Sequence, residues 1–134
     1  MSHDVEKIRT SKRMELIDIT KRVQDYVTAR KMVEGTLTLF VPHTTAAVTI
    51  NENTDVDVLT DMILGLSKAL PDLRDFRHAE GNSQAHILSS VIGASLSVIV
   101  AEGKLVLGTW QGIFFCEFDG PRHRKLYIHS SNQT

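Results

Sequence analysis

The amino-acid sequence predicts an α+β fold, a single domain over residues 1–134 with a mainly antiparallel, curled sheet and about three helices. Helical periodicity is confined to three segments, each flanked by runs rich in Val, Ile, Thr and Phe. From residue 95 onward the chain reads as strands separated by turn-forming residues. Its 134 residues suit one hydrophobic core and are too few for a second full domain.

Residues 4–19 mix β-branched and charged side chains and predict one or two short strands with a break near Ser11. From Asp18 or Thr20 the pattern turns helical, with Ile19, Val23, Tyr26 and Val27 on one face and Gly35 as the stop. Thr36–Val41 and Ala46–Ile50 predict two strands, interrupted at Pro42, which has no amide hydrogen for a sheet ladder. Thr54 and Asp57 form a capping-box signature, and Val56, Leu59, Ile63, Leu66 and Leu70 then recur at helical spacing as far as Pro71. Ser83 can cap a third helix that carries Ala85, Leu88 and Ile92 on one side and stops at Gly93. Segments 95–101, 104–109, 111–118 and 123–129 complete the set as strands. The apolar run Ile113-Phe114-Phe115 exceeds what one short covered face needs, so it is expected to form part of an intersubunit patch.

Fifteen Lys plus Arg against sixteen Asp plus Glu leave a formal net charge of -1. No general excess of positive charge exists for nucleic acid or an anionic membrane, so neither is expected as a partner. No apolar stretch approaches the roughly 20 residues of a membrane-spanning helix, and MSHDVEKIRT lacks the apolar core of a signal peptide. A cytoplasmic protein is expected. Cys116 stands alone, which excludes an internal disulfide and a multi-thiolate zinc site, so a metal would rely on His and carboxylate ligands.

Six histidines make that worth pursuing. His43 follows Pro42 at a strand break, where a bent backbone can aim its ring into a cleft or simply let it bond a nearby carbonyl. His78 lies in the loop before the third helix and His86 just inside it, on a polar face with Ser83 and Ser90. Such a face can also be merely solvated. Together the three imidazoles match a divalent-metal site, zinc for preference, that keeps a position open for water or substrate. Asn51-Glu52-Asn53 ends a strand, and Glu52 there can orient a metal ligand or move a proton. Asp57 is kept beside it as a candidate acid, although charge at a helix start is explained by the helix dipole alone. Trp110 can cover a flat ring or fill the core, Gln111 and Asn82 offer amides, and Arg122 and Arg124 offer guanidinium forks for phosphate or charge a solvated edge strand.

The segments Val41-Pro42-His43-Thr44-Thr45-Ala46-Ala47, Asn51-Glu52-Asn53, Arg77-His78-Ala79-Glu80-Gly81-Asn82-Ser83 with His86, Leu107-Gly108-Thr109-Trp110-Gln111-Gly112-Ile113, and Asp119-Gly120-Pro121-Arg122 resemble the YjbQ-like family, also called secondary thiamine-phosphate synthases. The resemblance implies an α+β homotrimer with a site lined by these histidines and acids. It also implies a modest activity that joins a hydroxymethylpyrimidine diphosphate to a thiazole phosphate. Two other classes stay open: a metal-dependent phosphoester hydrolase with Glu52 as base, and a non-catalytic binder of a small phosphorylated metabolite.

Overall fold

The structure is a computed structural model that describes residues 3–131. Strands β1 (Asp4–Arg9) and β2 (Glu15–Asp18) lead into helix α1 (Thr20–Ala29) and strands β3 (Gly35–Phe40) and β4 (Ala46–Glu52). Helices α2 (Val56–Ala69) and α3 (Ser83–Ile92) follow. The chain then continues through β5 (Ser95–Ala101), β6 (Lys104–Leu105), β7 (Gln111–Glu117) and β8 (His123–Ser130). This is the α+β class with three helices, and every strand pairing among the described residues is antiparallel. The strands divide into a five-stranded sheet ordered β1-β8-β3-β5-β6 and a three-stranded sheet ordered β2-β7-β4. No helix among the described residues is long and apolar enough to cross a membrane.

β7 explains the layering. Ile113 and Phe115 meet Leu37, Leu39, Leu126 and Ile128 of the large sheet together with Val23 and Val27 of α1. Cys116 and Phe118, of the opposite parity, meet Ala85 and Leu88 of α3. The three-stranded sheet is therefore covered on both faces, the condition under which a strand reads as a continuous apolar run. Ile113, Phe114 and Phe115 are fully buried, so the expectation that they form an intersubunit patch is corrected: the chain's own layers cover them. Burial also pushes the Cys116 thiol up to about 12, which leaves it protonated and inert near neutrality.

Boundaries differ from expectation for local reasons. α1 stops at Ala29, ahead of Gly35, because Lys31 takes a left-handed turn at φ 53° and the Met32 amide bonds back to the Val27 carbonyl at 3.1 Å. The cap of α2 is Asp55, whose carboxylate accepts the Asp57 amide at 2.9 Å, while the Thr54 hydroxyl turns back to Glu52. Asn82 rather than Ser83 holds the cap position of α3, and its side chain makes no cap bond: Nδ2 is turned to Asp119 and Oδ1 accepts no helix amide. Only Lys104–Leu105 pair as strand in the 104–109 segment, where α1 takes part of the ladder's role: the Gln24 side chain accepts the Leu105 amide at 3.0 Å.

Candidate functional site

The loop between β3 and β4, the start of α3 and the turn into β8 enclose an open cavity of about 680 Å³ at one end of the three-stranded sheet. His43, His78, His86, Asn82, Arg122 and Arg124 all line it, so six of the nominated residues meet in one place. Pro42 ends the β3 pairing, and the bend that follows carries His43 to the cavity wall.

A buried polar network forms the floor. The Arg124 guanidinium donates through Nε to Glu117 Oε1 at 2.8 Å and through Nη2 to Glu117 Oε2 at 2.5 Å. Nη2 also reaches the Thr45 hydroxyl at 2.7 Å. Thr10 donates its hydroxyl to Glu117 Oε1 at 2.8 Å, and the Asp119 amide donates to Oε2 at 2.9 Å. Glu117 is 0% and Arg124 5% exposed. Burial alone would raise the Glu117 pKa, but the hydrogen bonds from Arg124, Asp119 and Thr10 outweigh it and hold the carboxyl below the usual glutamate range. Arg124 thus supports the floor with two of its nitrogens spent inside the protein. β8 lies between β1 and β3, but the β3 pairing covers only Tyr127 to Ser130; its basic start pairs with β1 alone, with His123 and Lys125 exposed and Arg124 buried.

Above this floor Asp119 organises the reachable donors. Its carboxylate accepts Asn82 Nδ2 at 2.8 Å and Arg122 Nη2 at 2.9 Å, and its carbonyl accepts Arg122 Nε at 2.7 Å. Burial pushes the Asp119 carboxyl up, yet these bonds and the arginine charges win and hold it below the ordinary aspartate range. α3 opens there without a side-chain cap, so its first amides are left to meet an anion, whereas the buried, partnerless Asn82 Oδ1 is an acceptor that calls for a donor.

The three imidazoles are not equivalent. His78 and His86 stand edge to face with ring centroids 5.4 Å apart, and His78 Nε2 lies 3.9 Å from Glu80. His43 Nε2 instead accepts the Lys125 amide at 2.9 Å. Burial first, then the Arg124 charge, lowers the His43 pKa. The neutral ring therefore carries its proton on Nδ1 and can offer a ligand a donor. Among the described residues no three His, Cys or carboxylate side chains stand close enough to share an ion. Two imidazoles adjoin, and the third is held away by its own hydrogen bond.

The other nominated residues lie at the far end of the same sheet. Asn51 and Glu52 end β4, where they pair with Gly112 and Gln111 at the start of β7, whereas the cavity sits beyond Ala46 and Glu117 at the opposite ends of these strands. Gln111 closes a tight turn, its side-chain oxygen accepting the Gly108 amide at 2.8 Å, and this turn presents Trp110 at 62% exposure. The Trp110 carbonyl accepts the Asn53 amide at 2.9 Å, fastening the two motifs together. Gly112 is required there, since a Cβ would stand 2.7 Å from that of Asn53. Asp57 is exposed in the first turn of α2, where its charge complements the helix dipole.

Thr45, Asp119 and Glu117 carry the cavity's architecture and were not nominated from sequence. Glu117 had a signal, an acid at an inward position of an apolar strand, which demands a buried cation.

These features define an α+β protein with a histidine- and arginine-lined cavity at one end of a small covered sheet. The profile of the family described as UPF0047 protein YjbQ-like matches residues 5–133, and the chain belongs to that family. A UPF0047 protein of Methanocaldococcus jannaschii is 51% identical over 122 residues, covering 91% of this chain and 88% of the relative. YugU of Bacillus subtilis is 50% identical over 123 residues, covering 91% and 93%. A crystal structure of an uncharacterized YjbQ/UPF0047 protein of Clostridium acetobutylicum superposes with a TM-score of 0.92 at 46% identity, covering 95% of this chain and 98% of that one.

Proposed function

We propose that the cavity binds a small phosphorylated metabolite and that the protein is a transferase of the secondary thiamine-phosphate synthase type, working in the cytoplasm as a homotrimer. The observation that carries this reading is the convergence of Arg122, Asn82 and three imidazoles on one open cavity beside the uncapped start of α3. Guanidinium, amide and helix-start donors are the groups that hold phosphate oxygens. In the coupling reaction negative charge builds on the departing diphosphate, and donors fixed in advance by Asp119 stabilise that charge without having to reorganise.

A zinc ion in this cavity would be held by His78 and His86, with His43 joining only if its ring releases the Lys125 amide. When bound, it would supply further positive charge toward the leaving group. His86→Ala is expected to remove most bound zinc, measured by elemental analysis, while the circular dichroism stays native because α3 keeps Ala85 and Leu88 buried. Unchanged zinc in a folded His86→Ala protein removes His86 from the donor set. Light scattering at micromolar concentration is expected to give the trimer mass, and a monomer mass counts against the assembly.

The deciding assay supplies hydroxymethylpyrimidine diphosphate and thiazole phosphate and measures thiamine phosphate. Inorganic phosphate released from either substrate alone assigns a hydrolase instead. Thermal stabilisation by the substrates with no product of either kind assigns a binder.

A further inference from the structure

Glu52, the carboxylate nominated to move a proton, and the residues that can hold phosphate lie at opposite ends of one sheet. β4 is seven residues long, so Glu52 stands roughly 20 Å from the cavity that begins beyond Ala46. No side-chain motion within the chain closes that gap. The two ends are complementary. At the β4 end, where the Asn53 amide binds the Trp110 carbonyl, the chain carries Glu52, Asp55 and Asp57 together with the exposed side chains of Trp110 and Val56. At the other end Arg122 and the imidazoles ring an opening whose rim includes Phe40, itself 43% exposed, and Pro42. Exposed aromatic and apolar groups flanked by charge are the composition of an interface centre with its rim.

We infer that the occupant of the cavity mouth is a second copy of this chain, which seats Trp110 against Phe40 and Pro42 and delivers Glu52 to the histidine and arginine cavity. The inference rests on the function proposed above in assigning both ends to one reaction. Because the two patches differ, the contact is head to tail. Such contacts close as a ring when the rotation between copies permits, as in the proposed trimer, and each junction of that ring holds one complete site. A single copy holds two halves of different sites.

Complementation tests this. Glu52→Gln and His86→Ala chains, carrying different tags, are purified singly and, after co-expression, as mixed assemblies. Each alone is expected to be nearly inactive in thiamine-phosphate formation. Random mixing in a ring should restore about a quarter of the wild-type activity, since one junction in four joins an intact cavity to an intact Glu52. No recovery in mixed assemblies, with active wild type, overturns the shared site. The chain's one tryptophan gives a readout that needs no activity. Trp110 emission should be blue-shifted and protected from acrylamide in the assembled protein and exposed in Phe40→Asp, although within one copy Phe40 lines the cavity and Trp110 lies at the opposite end of the three-stranded sheet. An indole fully open to acrylamide in the wild type, or protection unchanged in a folded Phe40→Asp protein, overturns the contact. Inactive wild type with a protected, Phe40-dependent Trp110 defeats the proposed reaction and leaves the junction standing.

Discussion

Arg124→Leu is expected to cost the fold about 3–5 kcal/mol, the usual consequence of stranding one member of a buried ion pair. Glu117 would keep the Thr10 hydroxyl and the Asp119 amide but lose both guanidinium bonds in a site with no access to water. Urea denaturation should show a lower midpoint at unchanged slope. The double variant Arg124→Leu with Glu117→Leu should recover much of the loss, because two apolar groups leave no buried charge behind. The pH dependence follows from the sign of the shift. Glu117 titrates lower in the folded chain than unfolded, so its contribution is complete above the ordinary glutamate value and is lost as pH falls through the depressed one. In Arg124→Leu the carboxyl lacks its partner and takes up a proton more readily. The stability gap between wild type and variant should therefore narrow as the solution is acidified below the ordinary glutamate range. A gap of constant size across that range shows that the pair is not what Arg124 contributes.

Elements were legible in the sequence where a covered face imposes a period. Val23 and Val27 of α1, and Ala85 and Leu88 of α3, are spaced as a helix buried on one side requires, and both faces are where the spacing puts them. Caps and ends were less legible because they depend on partners distant in sequence. Asn82 makes no cap bond to α3, its side chain being turned by an Nδ2 bond to Asp119, 37 residues away. Gln24 of α1 takes the amide of Leu105, 81 residues away. The run Ile113-Phe114-Phe115 misled for a related reason: its hydrophobicity records two covering layers, and the sequence does not say that both belong to one chain. The cavity was legible as a residue list. Its division into a phosphate end and an acid end was implicit in the strand predicted between His43 and Asn51. Which distant groups join each end was not, because the pairing that sets Glu117 beside Ala46 and Gln111 beside Glu52 is made with a strand about 65 residues away. β4 holds one motif before Ala46 and another at Glu52, and only its extended geometry separates them.

Glu52→Gln and Arg122→Lys are expected to fail differently in thiamine-phosphate formation. Glutamine preserves the size and polarity of Glu52 and still accepts the Thr54 hydroxyl, which the carboxylate now takes at 3.1 Å, so the turn into α2 should survive. It cannot accept a proton. kcat should fall by about 10²-fold with KM little changed, the pattern of a group that acts in the transition state alone. Lysine keeps the charge of Arg122 but not the fork. Arg122 uses Nε and Nη2 on the Asp119 carbonyl and carboxylate, which fixes the guanidinium plane and leaves its remaining edge for a ligand. A lysine ammonium can keep one of those bonds or meet the ligand, not both, so KM for the phosphorylated substrate should rise while kcat changes less. Steady-state kinetics on both variants separate the two roles. Should both retain full activity while His86→Ala abolishes it, neither the proton role of Glu52 nor the phosphate role of Arg122 stands, and the imidazole pair alone carries the reaction.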